Sequence, residues 1–398
     1  MSNTSRRGFL KGAAMAAGAL GVSRIPGVNL LGRAEAAPGD EPPAIFIFNM
    51  IGGYNALFCS ADSFIGNAFG VTATNVRQVG TSALYVDRST LGTLSASTLN
   101  KMASIGIDHG ISAHTTARNA LLLDGNTSRL VALSKSMGGT AAVRCVVIGA
   151  QMPDGTHRAI GDVSLQQVRD LSTTIAVLGG GTAANAPARP LAADGIAAAQ
   201  AMSSAALTAN PNSAKSLIEG YPAAEAQLRQ PTVAFDYAEM TAAYGITGAP
   251  TNVQNTTMQI MGAELMIRAG ANLVIANQRG WDTHGDNNGS VVRNKLTGDG
   301  TMAALKAFTD RTLAMTNRNV ITVIMGDFSR SLPGSNHQAN LTATVIGKYV
   351  KLGTTGRVTS DVALPGSTPS IQGFWAYLAA LAGTADKPFG NNPHNLVL

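Results

Sequence analysis

From Ala44 to Phe48 the chain carries five apolar residues in a row, closed by Asn49 and then by Gly52-Gly53. A run without polar alternation reads as a strand buried on both faces, the kind used by parallel sheets covered by helices. Similar runs stand at 143–148, 174–178, 273–277, 320–325 and 342–346. Helical spacing of apolar residues is clearest at 256–269, 302–315 and 371–382. The order helix, strand, helix, strand across 256–325, with short connections, predicts an α/β fold with three αβα layers and a mostly parallel central sheet.

With 398 residues the chain is long enough to bury a large core without disulfide support. Only 13% of residues are charged and 44 are glycine, which points to many turns and close packing of small side chains. The stretch 179–235 opens rich in Gly, Ala, Asn, Pro and Ser, and it reads as an irregular insertion. Residues 37–398 are therefore expected to form one domain carrying that insertion.

The N-terminus reads Ser5-Arg6-Arg7-Gly8-Phe9-Leu10-Lys11, then a weakly apolar Gly/Ala stretch, then Ala34-Glu35-Ala36. It resembles a twin-arginine export signal with a small-residue cleavage site, so residues 1–36 are expected to address the chain, through the twin-arginine machinery, to the periplasm or the medium. The apolar stretch falls short of the ~20 residues a membrane span needs. Setting aside Arg6, Arg7, Lys11, Arg24 and Arg33 against Glu35 lowers the formal net charge from +6 to +2. A charge that small leaves no footprint for nucleic acid. Cys59 and Cys145 either form one bridge or stay as buried thiols, and no Cys-x-x-Cys or haem spacing supports a redox protein.

Three regions follow apolar runs and carry chemistry. Asp282 and His284 lie beyond the 273–277 run, two apart in Trp281-Asp282-Thr283-His284, so an oxygen and a nitrogen can face one ion. The alternative is a capping Asp beside an exposed His. Asp327 closes the 320–325 run three residues before Arg330, placed either to bind a metal or to pair with that arginine. His337 follows in Gly334-Ser335-Asn336-His337. The third region, Asp108 to Arg118, combines His109 and His114 with Ser112, Thr115, Thr116 and Arg118, which supplies possible metal ligands, a nucleophile and an anion clamp. A capped helix start with exposed histidines is the competing reading. His157 and His394 stand alone and read as surface residues, while Met258, Met261 and Met266 read as core packing.

The ordered strings Ile51-Gly52-Gly53-Tyr54-Asn55, Trp281-Asp282-Thr283-His284, Gly326-Asp327-Phe328-Ser329-Arg330 and Ser335-Asn336-His337 resemble an exported family known as domain of unknown function 1501. That family is similar to the alkaline phosphatase and sulfatase superfamily. The resemblance implies an alkaline-phosphatase-like sandwich with one or two divalent ions held by Asp and His at strand ends. It places Asp282, His284, Asp327 and His337 as ligands with Asn55 in support. Three departures stand out: Asn55 and Asn336 occupy positions where the family carries Asp, and Gly326-Asp327-Phe328-Ser329-Arg330 replaces its Ser-Glu-Phe-Gly-Arg. These losses weaken a second metal position.

The expectation is an exported, metal-dependent hydrolase of phosphate or sulfate esters. Zinc or manganese suits the mixed oxygen and nitrogen donors. Thr115 or Thr116 beside His114 would serve as nucleophile, and Arg118 or Arg330 would bind the oxyanion. The opposing expectation is a non-catalytic exported binding protein on the same scaffold.

Overall fold

In the computed structural model the described residues are 37–398 except 68–69, 142, 150–158, 172–236 apart from 198 and 201, 248–254, 357 and 359–369. The signal-like segment, the 174–178 run, His157 and, apart from 198 and 201, the 179–235 insertion lie outside them. Residues 37–398 group as one compact unit.

Nine strands form the main sheet: β1 (Pro43–Met50), β2 (Met102–Asp108), β3 (Cys145–Ile148), β4 (Ala159–Ile160), β5 (Val163–Val168), β6 (Leu273–Gln278), β7 (Asn319–Gly326), β8 (Asn340–Gly347) and β9 (Gly353–Thr355). Their spatial order is β9-β2-β8-β7-β1-β6-β3-β5-β4. The block β7-β1-β6-β3-β5 is parallel throughout. Strand β8 runs against both β7 and β2, so it enters the sheet from the end at which its neighbours leave.

The continuous apolar runs are the central strands because both of their faces are covered. β1 is flanked by Leu273 and Ile321 at Ile45 and by Ile275 and Val323 at Ile47, and every residue of β6 and β7 is buried. Each such large aliphatic or aromatic side chain contributes about 1.5–3 kcal/mol of burial free energy. The apolar stretch ends in a polar rung, where buried Asn49 donates its Nδ2–H to Asn277 Oδ1 at 2.8 Å.

Eight α-helices are present among the described residues: α1 (Ala96–Leu99), α2 (His114–Leu122), α3 (Arg129–Ser136), α4 (Tyr237–Ala243), α5 (Thr256–Arg268), α6 (Ser290–Gly298), α7 (Thr301–Leu313) and α8 (Ile371–Leu381). Helices α3 and α5 both pack on β3 and β6, α7 on β7, and α8 on β2, an arrangement compatible with a three-layer sandwich. Met261 and Met266 are core residues of α5. No described helix is long and apolar enough to cross a membrane. Cys59 and Cys145 are free, buried thiols rather than a bridge, and burial pushes the Cys59 thiol up to about 11 and Cys145 higher still.

His394 is not a surface residue. The C-terminal segment folds back over α8, where the Tyr377 hydroxyl donates to the Leu396 carbonyl and the Tyr377 ring meets His394 edge-on at 5.6 Å. Burial lowers the His394 pKa, and its Nε2 is buried without a hydrogen-bond partner. The unfolded chain therefore protonates first: this contribution to stability is complete above the ordinary histidine pKa of 6.5 and is lost as pH falls from there through the lowered folded value. A His394→Phe variant is expected to lose less melting temperature than the wild type between about pH 7 and about pH 5. Equal losses would contradict this placement.

Candidate metal centre

Parallel strands deliver their following loops to one edge of the sheet, and a reversed neighbour delivers its preceding loop to the same edge. Here that edge gathers Gly52 after β1, His114 after β2, Asp282 and His284 after β6, Asp327 to Arg330 after β7, and His337 before β8. Glycine makes the gathering possible. A Cβ on Gly52, whose φ is +118°, would lie 2.3 Å from the Asp282 backbone nitrogen and 2.5 Å from the Trp281 carbonyl carbon. The two loops touch backbone to backbone. The 282–286 and 329–337 loops are tied in turn by a Gly285 N–H bond to the Gly334 carbonyl and by the buried hydroxyl pair Thr283 and Ser335.

Within this frame His114, Asp282, His284 and His337 each offer a ligand atom, and the four atoms lie within 4.8 Å of one another. His284 Nε2 is 3.0 Å from Asp282 Oδ1 and 3.0 Å from His337 Nε2, while His114 Nε2 is 3.5 Å from Asp282 Oδ2. His337 Nε2 completes the set 3.7 Å from Asp282 Oδ1. A tetrahedral ion with bonds near 2.0–2.1 Å has ligand-to-ligand edges of about 3.3 Å, so these separations suit one cation.

The outer nitrogens aim the inner ones. Nδ1 of His337 donates to the Ser112 carbonyl at 2.8 Å, leaving a lone pair on Nε2. Burial, reinforced by nearby His114 and Arg330 and opposed by the Ser112 carbonyl, lowers the pKa of His337. Nδ1 of His114 lies 2.9 Å from Asp327 Oδ2, a hydrogen bond that fixes the ring from behind. His114 Nε2 faces Asp282, buried and without a hydrogen-bond partner. Two imidazole nitrogens facing each other at 3.0 Å, as in His284 and His337, need a shared proton or a cation between them. The donor set therefore fits a metal. Phe328, fully buried, packs on the rings of His114 at 4.7 Å and His337 at 4.4 Å and fixes their planes.

Asp282 is half exposed at its side chain, and His284 is exposed, so the cluster opens to solvent on that side. Burial works against the ionisation of Asp282, but Arg330 and the adjacent imidazoles outweigh it and hold the carboxyl below its usual range.

Four expected roles differ from the arrangement found. Asp327 is not a member of the cluster; it sits behind it, fully buried, with Oδ2 shared by His114, the Gly52 N–H at 3.1 Å and Arg118 at 3.9 Å. Asn55 caps the short 3-10 turn Ala56–Phe58 by accepting the Leu57 N–H at 2.9 Å, so its side chain is spent on the backbone. Arg330 is turned inward, with Nε on the Gly52 carbonyl at 2.6 Å, Nη1 on the Ser335 carbonyl at 2.5 Å, and Nη2 on Asp282. It binds protein oxygens where an oxyanion clamp was expected. Arg118 likewise lies buried against Asp327. In the other direction, His114 joins the ligand atoms rather than only accompanying a nucleophile. Thr115 and Thr116 are exposed in the first turn of α2, whose N-cap residue, Ala113, provides no side-chain cap.

No protein-family model, curated protein or solved structure matches the chain.

Proposed function

We propose that this chain is an exported, metal-dependent hydrolase of phosphate or sulfate esters. The observation that carries the reading is the convergence of three imidazole nitrogens and one carboxylate oxygen within 4.8 Å of one another at the solvent-facing edge of the sheet. A bound divalent cation supplies Lewis-acid polarisation of an ester oxygen. Three nitrogen donors to one oxygen favour zinc over manganese, which prefers carboxylate-rich sites. His114, Asp282, His284 and His337 hold the ion; Asp327 and Arg330 orient His114 and Asp282.

The start of α2 supplies the second element. Its N-cap residue, Ala113, makes no side-chain cap, so the first backbone N–H groups suit a tetrahedral anion. Thr115, on that turn, is the proposed nucleophile, and Thr116 the alternate. Export rests on the Arg6-Arg7 motif, and the alkaline-phosphatase-like lineage rests on the strings that carry Asp282, His284 and His337.

A second reading, a non-catalytic exported binding protein, draws on the inward turn of Arg330 and Arg118, which leaves anion binding to the helix start and the ion. Assay of the purified chain against aryl phosphate and aryl sulfate with added zinc separates the readings. Hydrolysis that falls by about a hundredfold or more in Thr115→Ala and is abolished in Asp282→Ala is expected. A zinc-loaded, folded wild type no faster than Asp282→Ala would leave the binding reading standing alone.

A further inference from the structure

Outside the metal centre, the hairpin formed by Val76–Gln78 and Tyr85–Asp87 meets α6 around a cavity of about 350 Å³. Its lining is Thr74, Asn75, Asp87, Arg88, Ser89 and Arg293. Two guanidinium groups, those of Arg88 and of Arg293 paired with Asp87, line one opening. Like charges are brought together only where something fixes them.

Asp87 fixes the floor. It is almost fully buried, and its Oδ1 accepts from the backbone and hydroxyl of Ser89 at 3.1 and 2.6 Å and from the backbone and hydroxyl of Thr90 at 3.1 and 3.2 Å. Its Oδ2 takes the Arg293 Nε–H at 2.9 Å, so the capacity of this carboxylate is consumed by the protein. Arg293 is anchored again by Nη1 on the Asn288 carbonyl at 2.8 Å. At the rim Arg88 is held through its backbone N–H on the Asn75 carbonyl and through Nη2 on the Val76 carbonyl at 3.0 Å. Nε and Nη1 of Arg88, which is exposed, carry no protein partner among the described residues. Asn75 spends Nδ2 on the Gly70 carbonyl at 2.7 Å and keeps Oδ1 as an acceptor.

We propose that this cavity is a second ligand site, which takes an acidic sugar unit bearing a sulfate, phosphate or carboxylate group. A planar guanidinium held in place by the backbone loses little freedom on binding, and its open edge matches two oxygens of an oxyanion. Arg88 and Arg293 outweigh the neutralising charge of Asp87, which leaves the opening positive. The Asn75 amide oxygen accepts a hydroxyl proton of the sugar. The site stands whether or not the metal centre hydrolyses esters.

Titration calorimetry on the whole chain tests it with a sulfated disaccharide, its unsulfated parent and inorganic sulfate. The sulfated disaccharide binds saturably, and Arg88→Gln weakens it by about tenfold or more, the loss of a charge-assisted pair. Arg88→Lys, which keeps charge without the planar fork, falls between. Lys351→Gln, an exposed charge outside the cavity, changes affinity by less than about twofold. Asp282→Ala keeps saturable binding that Arg88→Gln weakens, which separates this site from the metal centre, where a sulfate ester is itself proposed to bind. The proposal is overturned by absence of saturable binding to the wild type, by equal weakening in Arg88→Gln and Lys351→Gln, by loss of binding in Asp282→Ala, or by inorganic sulfate binding as tightly as the sulfated sugar.

Discussion

Arg330→Met is expected to destabilise the fold by about 3 kcal/mol and to weaken metal binding by about ten- to a hundredfold. The side chain is 1% exposed and joins three loops through the Gly52 carbonyl, the Ser335 carbonyl and Asp282. Methionine fills similar volume but leaves both carbonyls without a donor, and an unsatisfied buried acceptor costs about 1–3 kcal/mol. Half-exposed Asp282 stays solvated, which is why the loss sits at the low end for a broken buried pair. Burial lowers the Arg330 pKa, opposed by Asp282. Arg330→Lys keeps a cation without the fork, so it restores part of the stability and little of the metal affinity. Urea unfolding and zinc competition titration read the two effects separately. Affinity unchanged in a destabilised Arg330→Met would assign Arg330 to the fold alone.

Gly52→Ala is expected to be the more damaging single methyl group in the site, costing about 3 kcal/mol or more. Its Cβ would meet backbone atoms of Asp282 and Trp281 well inside contact distance, and backbone cannot rotate away as a side chain can. The positive φ adds strain for any L residue. Because the displaced loop carries Asp282, zinc binding falls with stability. Gly110→Ala is the control: φ is +68° but no atom lies within 4 Å of its Cβ, so it costs only about 1–2 kcal/mol of left-handed strain. Denaturation midpoints that rank the two variants equally would contradict the close approach of the loops.

Strands buried on both faces were legible as apolar runs without alternation in β1, β3, β6 and β7, while β8 was placed although Thr342 and Thr344 alternate with Leu341, Ala343 and Val345. β2 was not, since Ser104 and Gly106 interrupt it, and Gly106 is there because a Cβ would overlap the Gly356 carbonyl. β5 alternates buried and exposed positions as a strand near the sheet edge does, and its run is too short to stand out. The pair Asp282 and His284 was legible from its spacing of two after a strand. The division of labour between Asp327 and His114 was not. A carboxylate one residue past a strand reads the same whether it touches an ion or the imidazole that touches the ion, and only the fold decides which is nearer. Arg330 misled for a related reason: an arginine beside a predicted anion site looks like a clamp until the carbonyls around it are known.

The central claim is that His114, Asp282, His284 and His337 share one cation, and elemental analysis of bound metal tests it most directly. The chain, purified without chelator and equilibrated with micromolar zinc, is expected to retain about one ion per molecule. The His284→Ala/His337→Ala double variant, altered at two positions that reach the surface, is expected to stay folded and retain almost none. A folded wild type free of divalent metal, or a double variant that binds as much as the wild type, would contradict the account.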